Sequence, residues 1–542
     1  MRRAATWVAA GALASCGVTS CLTTPEPPRA PAQTPAASGP VAPWTPQILT
    51  RTDEYLPDFS YAGYHFGERA LPDLPPTLEV TDFGARPDDD QDDTEALKKA
   101  LAATLTAPGA VVLHLPKGRF VISDTLYLER SNLILQGSGS GPGGTTLFVS
   151  KPMADMPRDP VIQKIEDYLV KNDKLVDGKP FSPFSWTGGV LWVRRKAEPA
   201  QAPLAQVLEG TRGAHVVRLD KALAVAPGSI VRLRWFNRGG DDSPLLRHIY
   251  GLERVPFGPR LSDPKGEAIA TEEATVKAVH GAELTLVQPL LHDIRPGWTV
   301  DVVDPELMQE VGIEHLALEF AEQPYAGHHL ERGFNGIYLT GLAHSFVRDV
   351  RVKNADSALL SDDCTNLTLS HIAVGGRLGH YGVHLGDVFD VLLQDFKIEN
   401  ENFHSVSFNT KSRNNVATHG AIYRPSLDQH RGANHQNLFD DLSTREDRAK
   451  STLFEHGGAD YWGPTHGAFN TFWNIDIEFK SAPALAMYLG KIDDAGPARI
   501  VGLTSNAKLA FDYAHAYIEG LGVPGISVAS LYDFQLARRL GR

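Results

Sequence analysis

The sequence predicts an all-β protein built as a β-helix, with one capping helix near its N-terminal end and a small β-subdomain inserted part-way along. Four successive segments of similar length, 335–355, 356–380, 381–402 and 403–425, each carry two short apolar strands. Residues 205–303 alternate between apolar and polar residues but lack that repeat, and one helical pattern follows residue 93. Because a single coil cannot bury its own apolar face, stacked coils favour one continuous array over several separate domains.

The first clear elements lie within residues 77–139, in the N-terminal part of the β-helix predicted for residues 49–204. The pattern there indicates a strand, an acidic loop at 86–93, an amphipathic helix and several short strands. Asp93 and Thr94 are expected to cap the helix. The predicted apolar face of that helix is Ala96, Leu97, Ala100, Leu101 and Leu105.

This same stretch resembles the opening of pectate-lyase-superfamily proteins. It contains DFGA (82–85), the acidic loop, the helix, then LPKGRFVIS (115–123) and LILQGSG (133–139). The resemblance implies a right-handed, single-stranded parallel β-helix capped by the helix. It implies little about chemistry, because this fold supports several reactions.

The remaining chain completes the predicted architecture. Residues 205–303 predict an inserted antiparallel β-subdomain with glycine turns, and residues 304–542 predict the main coils and a C-terminal region. Alternate residues of each coil should point inward. The predicted inward pairs are Ile337/Leu339, Ala358/Leu360, Val383/Leu385 and Val406/Phe408. Asp349, His371 and Asp395 are expected at a turn between strands, where they would bond backbone groups.

The first 21 residues have the features of a bacterial lipoprotein signal. An apolar run at 4–14 follows two arginines, and LASC (13–16) resembles a lipobox whose cysteine is lipidated. Lipidation is expected at Cys16, with Cys21 as the alternative. Residues 22–48 are rich in Pro, Ala and Thr and predict a tether. We therefore expect export and a lipid anchor in a bacterial membrane or cell surface, or otherwise a secreted or periplasmic protein.

The charge and cysteine content narrow the choice of partners. A net charge of −13 argues against nucleic-acid binding, because no surplus of cations is available to neutralise phosphates. An acidic total still allows an acidic polysaccharide to bind a local cluster of cations.

Beyond the signal, Cys364 is the single cysteine; it cannot form an internal disulfide and is predicted to be buried. The oligomeric state stays open.

Histidines are concentrated in one quarter of the chain, since 12 of the 20 lie within residues 328–466. GHYGVHLG (379–386) is similar to a histidine-containing element of polygalacturonase-like glycosidases, with His380 or His384 matching its histidine. The three aspartates of that family's mechanism are not matched here, apart from Asp356. Acid/base hydrolysis needs paired carboxylates, so the sequence disfavours the polygalacturonase mechanism.

The densest polar stretch, residues 426–442, suggests a polysaccharide lyase acting on a uronate-containing polymer. β-Elimination needs a cation to neutralise the carboxylate, a base for the α-proton and an acid for the leaving oxygen. Arg431 is the predicted clamp, and His430 or His384 the predicted base. The predicted catalytic residues are His430, Arg431, His384, His404 and Tyr381. The predicted substrate-binding residues are His380, Lys411, Asp428, His435, Asn437, Tyr461 and Trp462.

Two alternative functions stay open. One is a glycoside hydrolase or epimerase using Asp356 with Asp362, Asp363 or Asp428, and the other is a non-catalytic surface adhesin or polysaccharide-binding scaffold.

The predicted cofactor is none, because cationic side chains suffice for elimination. Histidines four apart on a strand also lie roughly 13 Å apart, too far to share an ion. Calcium is the alternative, at the carboxylates of residues 86–93. Their position beside the helix is also typical of a solvated, helix-capping loop.

Overall fold

The computed structural model describes residues 43–542 except 198, 254–255, 449–452, 459, 482–486, 493–495 and 514. The predicted signal with Cys16 and Cys21, and residues 22–42 of the predicted tether, lie outside the described residues. The end of that tether segment packs on the folded chain: Ile48 is 2% exposed, and the Trp44 carbonyl accepts a hydrogen bond from the Ser527 amide. No helix in the described part of the chain is long and apolar enough to cross a membrane.

The chain is dominated by short strands. The helices are α1 (Thr94–Thr104), α2 (Pro160–Lys171), α3 (Pro244–Tyr250), α4 (Pro259–Ser262) and α5 (Leu531–Arg539). The strands of the N-terminal coils and the inserted unit are β1 (Leu78–Glu79), β2 (Val111–His114), β3 (Gly118–Ile122), β4 (Leu126–Leu128), β5 (Leu133–Gln136), β6 (Thr145–Val149), β7 (Leu175–Val176), β8 (Lys179–Pro180), β9 (Leu191–Val193), β10 (Ala205–Glu209), β11 (Val216–Leu219), β12 (Ile230–Phe236), β13 (Ala270–His280), β14 (Glu283–Leu286), β15 (Thr299–Val303) and β16 (Met308–Gln309).

The later coils continue the pattern to the C-terminal helix. Their strands are β17 (Val311–Phe320), β18 (Asn335–Ala343), β19 (Phe346–Lys353), β20 (Ser357–Thr365), β21 (Thr368–Gly375), β22 (Gly379–Gly386), β23 (Leu392–Ile398), β24 (Asn402–Asn409), β25 (Val416–Tyr423), β26 (Leu427–His430), β27 (Leu438–Glu446), β28 (Phe454–Gly457), β29 (Thr471–Phe479), β30 (Met487–Ile492), β31 (Ala498–Val501), β32 (Thr504–Ser505), β33 (Leu509–Tyr513) and β34 (Ala516–Glu519).

Two long parallel sheets carry the coils. The first sheet runs β1-β2-β5-β17-β19-β21-β23-β25-β27-β29-β31-β34, and the second runs β28-β26-β24-β22-β20-β18-β9-β4. From β17 to β28, successive strands alternate between the two sheets, so every coil gives one strand to each. This arrangement is a parallel β-helix, and the predicted fold class is confirmed.

The interior is a ladder of apolar side chains. Ile337, Leu359, Val383 and Val406 lie in register on neighbouring strands of the second sheet and are buried. The predicted inward pairs are correct for three coils, but in the coil 356–380 the register differs by one residue. Leu359 and Ser361 occupy the inward positions there instead of Ala358 and Leu360. Consecutive apolar residues made the two registers indistinguishable from the pattern alone. Cys364 is buried, as predicted.

The polar residues predicted for a turn between strands lie inside strands instead. Asp349, His371 and Asp395 fall within β19, β21 and β23 and adopt left-handed backbone conformations with φ of 51°, 55° and 54°. His419 and Asp441 continue the column in β25 and β27, with φ of 52° and 46°. Asp, Asn and His are enriched in this conformation, which explains the polar composition of the column.

The N-terminal helix differs from the prediction in its cap. Asp93 stands at the N-cap position, but its carboxylate accepts hydrogen bonds from the amides of Arg86 (2.7 Å) and Val121 (3.1 Å). The Thr94 amide instead donates to Asp92 Oδ1 at 2.9 Å. The carboxylates of the acidic loop thus hold the loop to β3. Leu97, Ala100 and Leu101 are buried as predicted, whereas Leu105 is 41% exposed beyond the last helical turn.

Residues 205–303 contain a closed antiparallel barrel with the strand order β10-β11-β14-β13-β12-β15. Its core includes Leu233 and Trp235, both fully buried. A buried ion pair joins the barrel to the coils: the Arg413 guanidinium, which also lies 3.0 Å from the coil residue Asp387, lies 2.8 Å from Glu273 on β13. The segment between β12 and β13 carries α3 and α4.

Candidate active site

A cavity of about 800 Å³ lies over the first residues of β24 and the end of β26. The coil side chains that line it include His404, His430 and Arg431. Four excursions from the coils form its walls. They are residues 150–190, which carry α2, the barrel segment with α4, the loop before β18 with His328 and His329, and the loop after β28. The volume is within the range of ligand sites, roughly 300–1,000 Å³.

Parallel pairing brings the polar residues of different coils together. Tyr381 on β22 lies in register with His404 on β24, and Ser407 on β24 with Asp428 on β26. Neighbouring strands are about 4.8 Å apart. The rings of Tyr381 and His404 accordingly stack with their centres 4.9 Å apart. Residues more than 20 apart in sequence therefore become direct neighbours.

Asp428 is a fully buried carboxylate beneath the cavity. Its Oδ2 accepts hydrogen bonds from Ser407 Oγ (2.6 Å) and His430 Nδ1 (3.1 Å), and His404 Nδ1 lies 3.0 Å away. Burial opposes ionisation of Asp428, but His404 and His430 outweigh it and hold its pKa well below the usual range. Burial lowers the pKa of His430 despite Asp428, so its imidazole is neutral at neutral pH.

A second buried carboxylate, Glu331, lies behind the same cavity. Its Oε1 accepts hydrogen bonds from the Tyr325 hydroxyl (2.6 Å), and its Oε2 from Ser185 Oγ (2.8 Å). His380 Nδ1 lies 2.9 Å from Oε1. On the other side of that ring, His380 Nε2 lies 3.1 Å from His328 Nε2. Glu331 and Asp428 thus each hold a histidine from below the cavity.

The cavity walls carry three cations stacked on aromatic rings. The pairs, with the distance from the cationic centre to the ring centre, are Arg431 on Trp186 (5.1 Å), Arg260 on Trp462 (5.4 Å) and Lys174 on Tyr461 (5.6 Å). Within the described part of the chain, none of these three cations forms an ion pair with a carboxylate. Positive charge is therefore concentrated in the cavity of an acidic protein.

Residues 77–174 match the family model described as rhamnogalacturonase A/epimerase, pectate lyase-like. The match begins at the stretch that carries the sequence resemblance and ends just after α2. Together with the two stacked parallel sheets, it decides the fold. The chain has a pectate-lyase-like parallel β-helix fold. A search by sequence among curated proteins found no match.

The chain is also similar to solved structures of low sequence identity. The tailspike gp61 of Pseudomonas phage phi297 has 12% identity and a TM-score of 0.41, over 83% of this chain and 75% of that one. The Gp54 tailspike of Acinetobacter baumannii bacteriophage AP22, in complex with capsular saccharide, has 8% identity and a TM-score of 0.44, over 82% and 69%. The A-module of the Azotobacter vinelandii mannuronan C-5 epimerase AlgE4 has 13% identity and a TM-score of 0.37, over 83% and 96%.

Nine of the predicted site residues lie in or directly behind the cavity. Those that line it are His404, His430, Arg431, Tyr461 and Trp462. Those buried behind it are His380, Tyr381, His384 and Asp428. His384 has the predicted outward position, in register with Ser407, but is only 3% exposed, and burial lowers its pKa to about 3. Its predicted role as a base open to substrate is therefore not supported.

The other three predicted residues lie away from the cavity. Lys411 Nζ donates to the Ala268 carbonyl at 3.3 Å, at the junction with the barrel. His435 is fully buried, with Nε2 2.8 Å from His292 Nε2. Asn437 is fully buried in hydrogen bonds to neighbouring turns. Their polar character reflects buried turn and interface bonding, so substrate binding by these three is not supported.

Sequence reasoning missed the residues contributed by the excursions. Trp186 and Lys174 belong to the α2 excursion, and Arg260 belongs to the barrel segment. No local pattern connects these positions to residues 404–431. His328 is the exception, since it falls inside the histidine-rich quarter of the chain.

Proposed function

We propose that the protein binds an acidic, uronate-containing polysaccharide in this cavity and cleaves it by β-elimination. The observation that supports this most directly is the combination of Arg431, stacked on Trp186 at the cavity wall, with the Asp428-held His430 beside it. The Arg431 guanidinium can bind a carboxylate, and the His430 imidazole can abstract a proton.

The cations favour an anionic sugar. Arg431, Arg260 and Lys174 converge on one cavity, and none of them forms an ion pair with a carboxylate of the described residues. Glu401, which also lines the cavity, is paired with Arg424. A guanidinium matches the two oxygens of a carboxylate in a bidentate pair. The aromatic rings beneath the cations offer flat apolar surfaces to sugar rings. A neutral polysaccharide would leave these charges desolvated and unpaired.

His430 is the proposed base. Its Nδ1 is held by Asp428, which leaves Nε2 as the nitrogen available to substrate. Arg431 would neutralise the uronate carboxylate and so acidify the α-proton. Nε2 takes that proton, the C–H electron pair forms the new carbon–carbon double bond, and the bond to the leaving oxygen breaks. The leaving oxygen takes a proton from water or from a neighbouring imidazolium.

The carboxylates favour elimination over hydrolysis. Asp356 is paired with Arg377 at 2.7 Å and accepts amide hydrogen bonds, and it does not line the cavity. Asp363 is paired with Arg195 at 2.8 Å beside the barrel. Asp428 is held beneath His430. A pair of cavity-facing acids, as a glycosidase needs, is therefore not offered by these aspartates.

The test is ultraviolet absorbance of the unsaturated uronate, with reducing-end release measured on the same samples. Purified protein is offered pectins, alginates, ulvans and glycosaminoglycans, with His430→Ala and Arg431→Ala beside it. Absorbance on one polymer that is lost in both variants supports the lyase. Reducing ends without absorbance would indicate hydrolysis, and binding without either product would indicate a scaffold.

We also propose export and lipid anchoring at Cys16, with Cys21 as the alternative site. The support is the signal pattern in the sequence, since both cysteines lie outside the described residues. Fractionation and intact-mass measurement of the Cys16→Ser and Cys21→Ser proteins test it. One variant should leave the membrane fraction and lose the lipid mass; membrane retention of both would contradict the anchor.

A further inference from the structure

Three histidines direct ring nitrogens toward one point at the back of the cavity. His328 Nε2 lies 3.1 Å from His380 Nε2, and nitrogens of His328, His380 and His404 all lie within 4.8 Å of one another. Their ring centres are 4.6, 5.4 and 6.0 Å apart. A tetrahedral zinc ion with Zn–N bonds of about 2.0–2.1 Å places its ligand nitrogens about 3.4 Å apart. The 3.1 Å separation of His328 Nε2 and His380 Nε2 is close to that spacing, and a nitrogen of His404 lies within 4.8 Å of both.

His404 supplies an independent indication of a ligand. It is 6% exposed, and its Nε2 has no hydrogen-bond partner among the described residues. A buried ring nitrogen without a partner is costly, and such groups are rare in native proteins. A bound cation would satisfy the free nitrogen.

The carboxylates behind the histidines support the same interpretation. Glu331 Oε1 lies 2.9 Å from His380 Nδ1, and Asp428 Oδ2 lies 3.0 Å from His404 Nδ1. Metal-ligating histidines commonly give their second ring nitrogen to a carboxylate, which fixes the tautomer and orients the ring. Here the two carboxylates lie on the Nδ1 side and leave each Nε2 for a metal.

We propose that His328, His380 and His404 bind one divalent transition metal, with zinc as the best match to three imidazoles. The fourth position would face the cavity, because His328 and His404 line it. Three protein ligands and an open position are typical of catalytic zinc. Resting on the proposed function, the metal would hold a uronate oxygen beside Arg431 and leave His430 free as the base.

Histidines four residues apart on one strand lie roughly 13 Å apart, which is too far to share an ion. The proposed ligands come from three different segments: the loop before β18, β22 and β24. Two other groups of possible ligands are less suitable. In the group His404, Asp428 and His430, Asp428 Oδ2 already accepts from Ser407 and His430. In the group His329, Glu331 and His380, Glu331 already accepts from the hydroxyls of Tyr325 and Ser185.

The test measures metal binding directly. Chelator-treated protein is titrated with Zn²⁺ against a chromophoric chelator, and Co²⁺ is added separately to record its visible spectrum. We expect one Zn²⁺ per chain and intense Co²⁺ bands of a tetrahedral site. Glu331→Gln should weaken zinc binding by about 10- to 100-fold, and His328→Ala and His404→Ala by more. His371→Ala, at an exposed position on β21, should bind zinc as the wild type does.

Folding and activity are controlled separately. Circular dichroism confirms that each variant is folded, and His328, which is partly exposed, remains informative if His404→Ala unfolds. Absence of stoichiometric zinc binding, or binding unchanged by His328→Ala, overturns the metal site. Zinc binding without elimination on any polymer overturns the proposed function and leaves the site standing. Undiminished elimination by zinc-free protein that cannot take up zinc overturns the metal site and leaves the proposed function standing.

Discussion

The guanidinium carbon of Arg431, on the coils, lies 5.1 Å from the ring centre of Trp186, on the α2 excursion. This stacking joins two parts of the chain that are some 245 positions apart in sequence. It holds the cation at the cavity wall, where its charge is available to a substrate. The position of the Arg431 guanidinium therefore depends on the α2 excursion as well as on the coil that carries Arg431.

The first prediction concerns this clamp. Arg431→Ala should lower kcat/KM for an acidic polysaccharide by about 10²- to 10³-fold, because one preorganised charge is lost. Trp186→Phe should lower kcat/KM by a smaller factor, since a smaller ring still supports the guanidinium. Arg351→Ala, at an exposed ion pair with Glu399, is the matched control and should keep full activity. Equal activity of Arg431→Ala and Arg351→Ala would contradict the assignment.

The second prediction concerns the base. His430→Gln should lower kcat by about 10²- to 10⁴-fold while KM changes little, because proton abstraction is lost and the cations that bind substrate remain. Steady-state kinetics of product absorbance measure both constants. His371→Gln removes an exposed histidine from β21 and should leave both unchanged. A raised KM with unchanged kcat would make His430 a binding residue.

The third prediction concerns Asp428 as a positioning residue. Asp428→Asn keeps the size of the side chain but removes the charge that fixes His430 and the neighbouring His404. We expect kcat to fall by about 10- to 100-fold with KM nearly retained. Asp428→Glu should fail to restore it, because the carboxylate would be displaced from Ser407. A variant with wild-type kcat would show that His430 does not need this partner.

The fourth prediction concerns the junction between the barrel and the coils. Arg413→Met removes one of the two guanidinium partners of the buried Glu273, which keeps Arg232, and should cost about 1–3 kcal/mol in the free energy of unfolding. Denaturant unfolding followed by fluorescence measures it. Lys277→Met, at an exposed position on the barrel, should change stability by less than about 0.5 kcal/mol. Equal stability of the two variants would show that the buried pair does not hold the junction.

The fifth prediction concerns pH and the C-terminal helix. His419 lies 2.8 Å from Asp441 and 2.9 Å from Asp533 on α5, and hydrogen bonds to Asp441 and then Asp533 raise its pKa from 6.5 to about 10. Its stabilising contribution is present in full below pH 6.5 and is lost as pH rises toward 10. Wild-type stability should therefore fall over this range relative to His419→Gln. Parallel stability curves for the two proteins would contradict the pKa shift.

The coils were predictable because their physics is local and repeated. Alternating apolar residues with polar turns recur every 21 to 25 residues, so the stacking of Ile337, Val383 and Val406 follows from the pattern. The observed register at Leu359 differs by one residue from the predicted register, because consecutive apolar residues there remove the alternation. Asp349 and His371 lie within β19 and β21 and not at the predicted turn, because a left-handed residue is accommodated inside each strand.

The candidate site was predictable only in part. His404, His430 and Arg431 lie within one histidine-rich region, and their clustering was visible in the sequence. His435 belonged to the same cluster but packs against the barrel, a contact that depends on His292 some 140 residues earlier. Polar residues that serve a cleft and those that serve a buried junction look alike in sequence.

The sequence by itself determined the repeat, and with it the β-helix, because coil periodicity expresses a local preference that stacking then amplifies. Only the tertiary structure decided which polar residues face the cavity. Lys174, Trp186 and Arg260 come from excursions whose direction is set by long-range packing, including the buried pair between Arg413 and Glu273. The fold is thus carried by short-range order along the chain, whereas the site arises where distant segments meet.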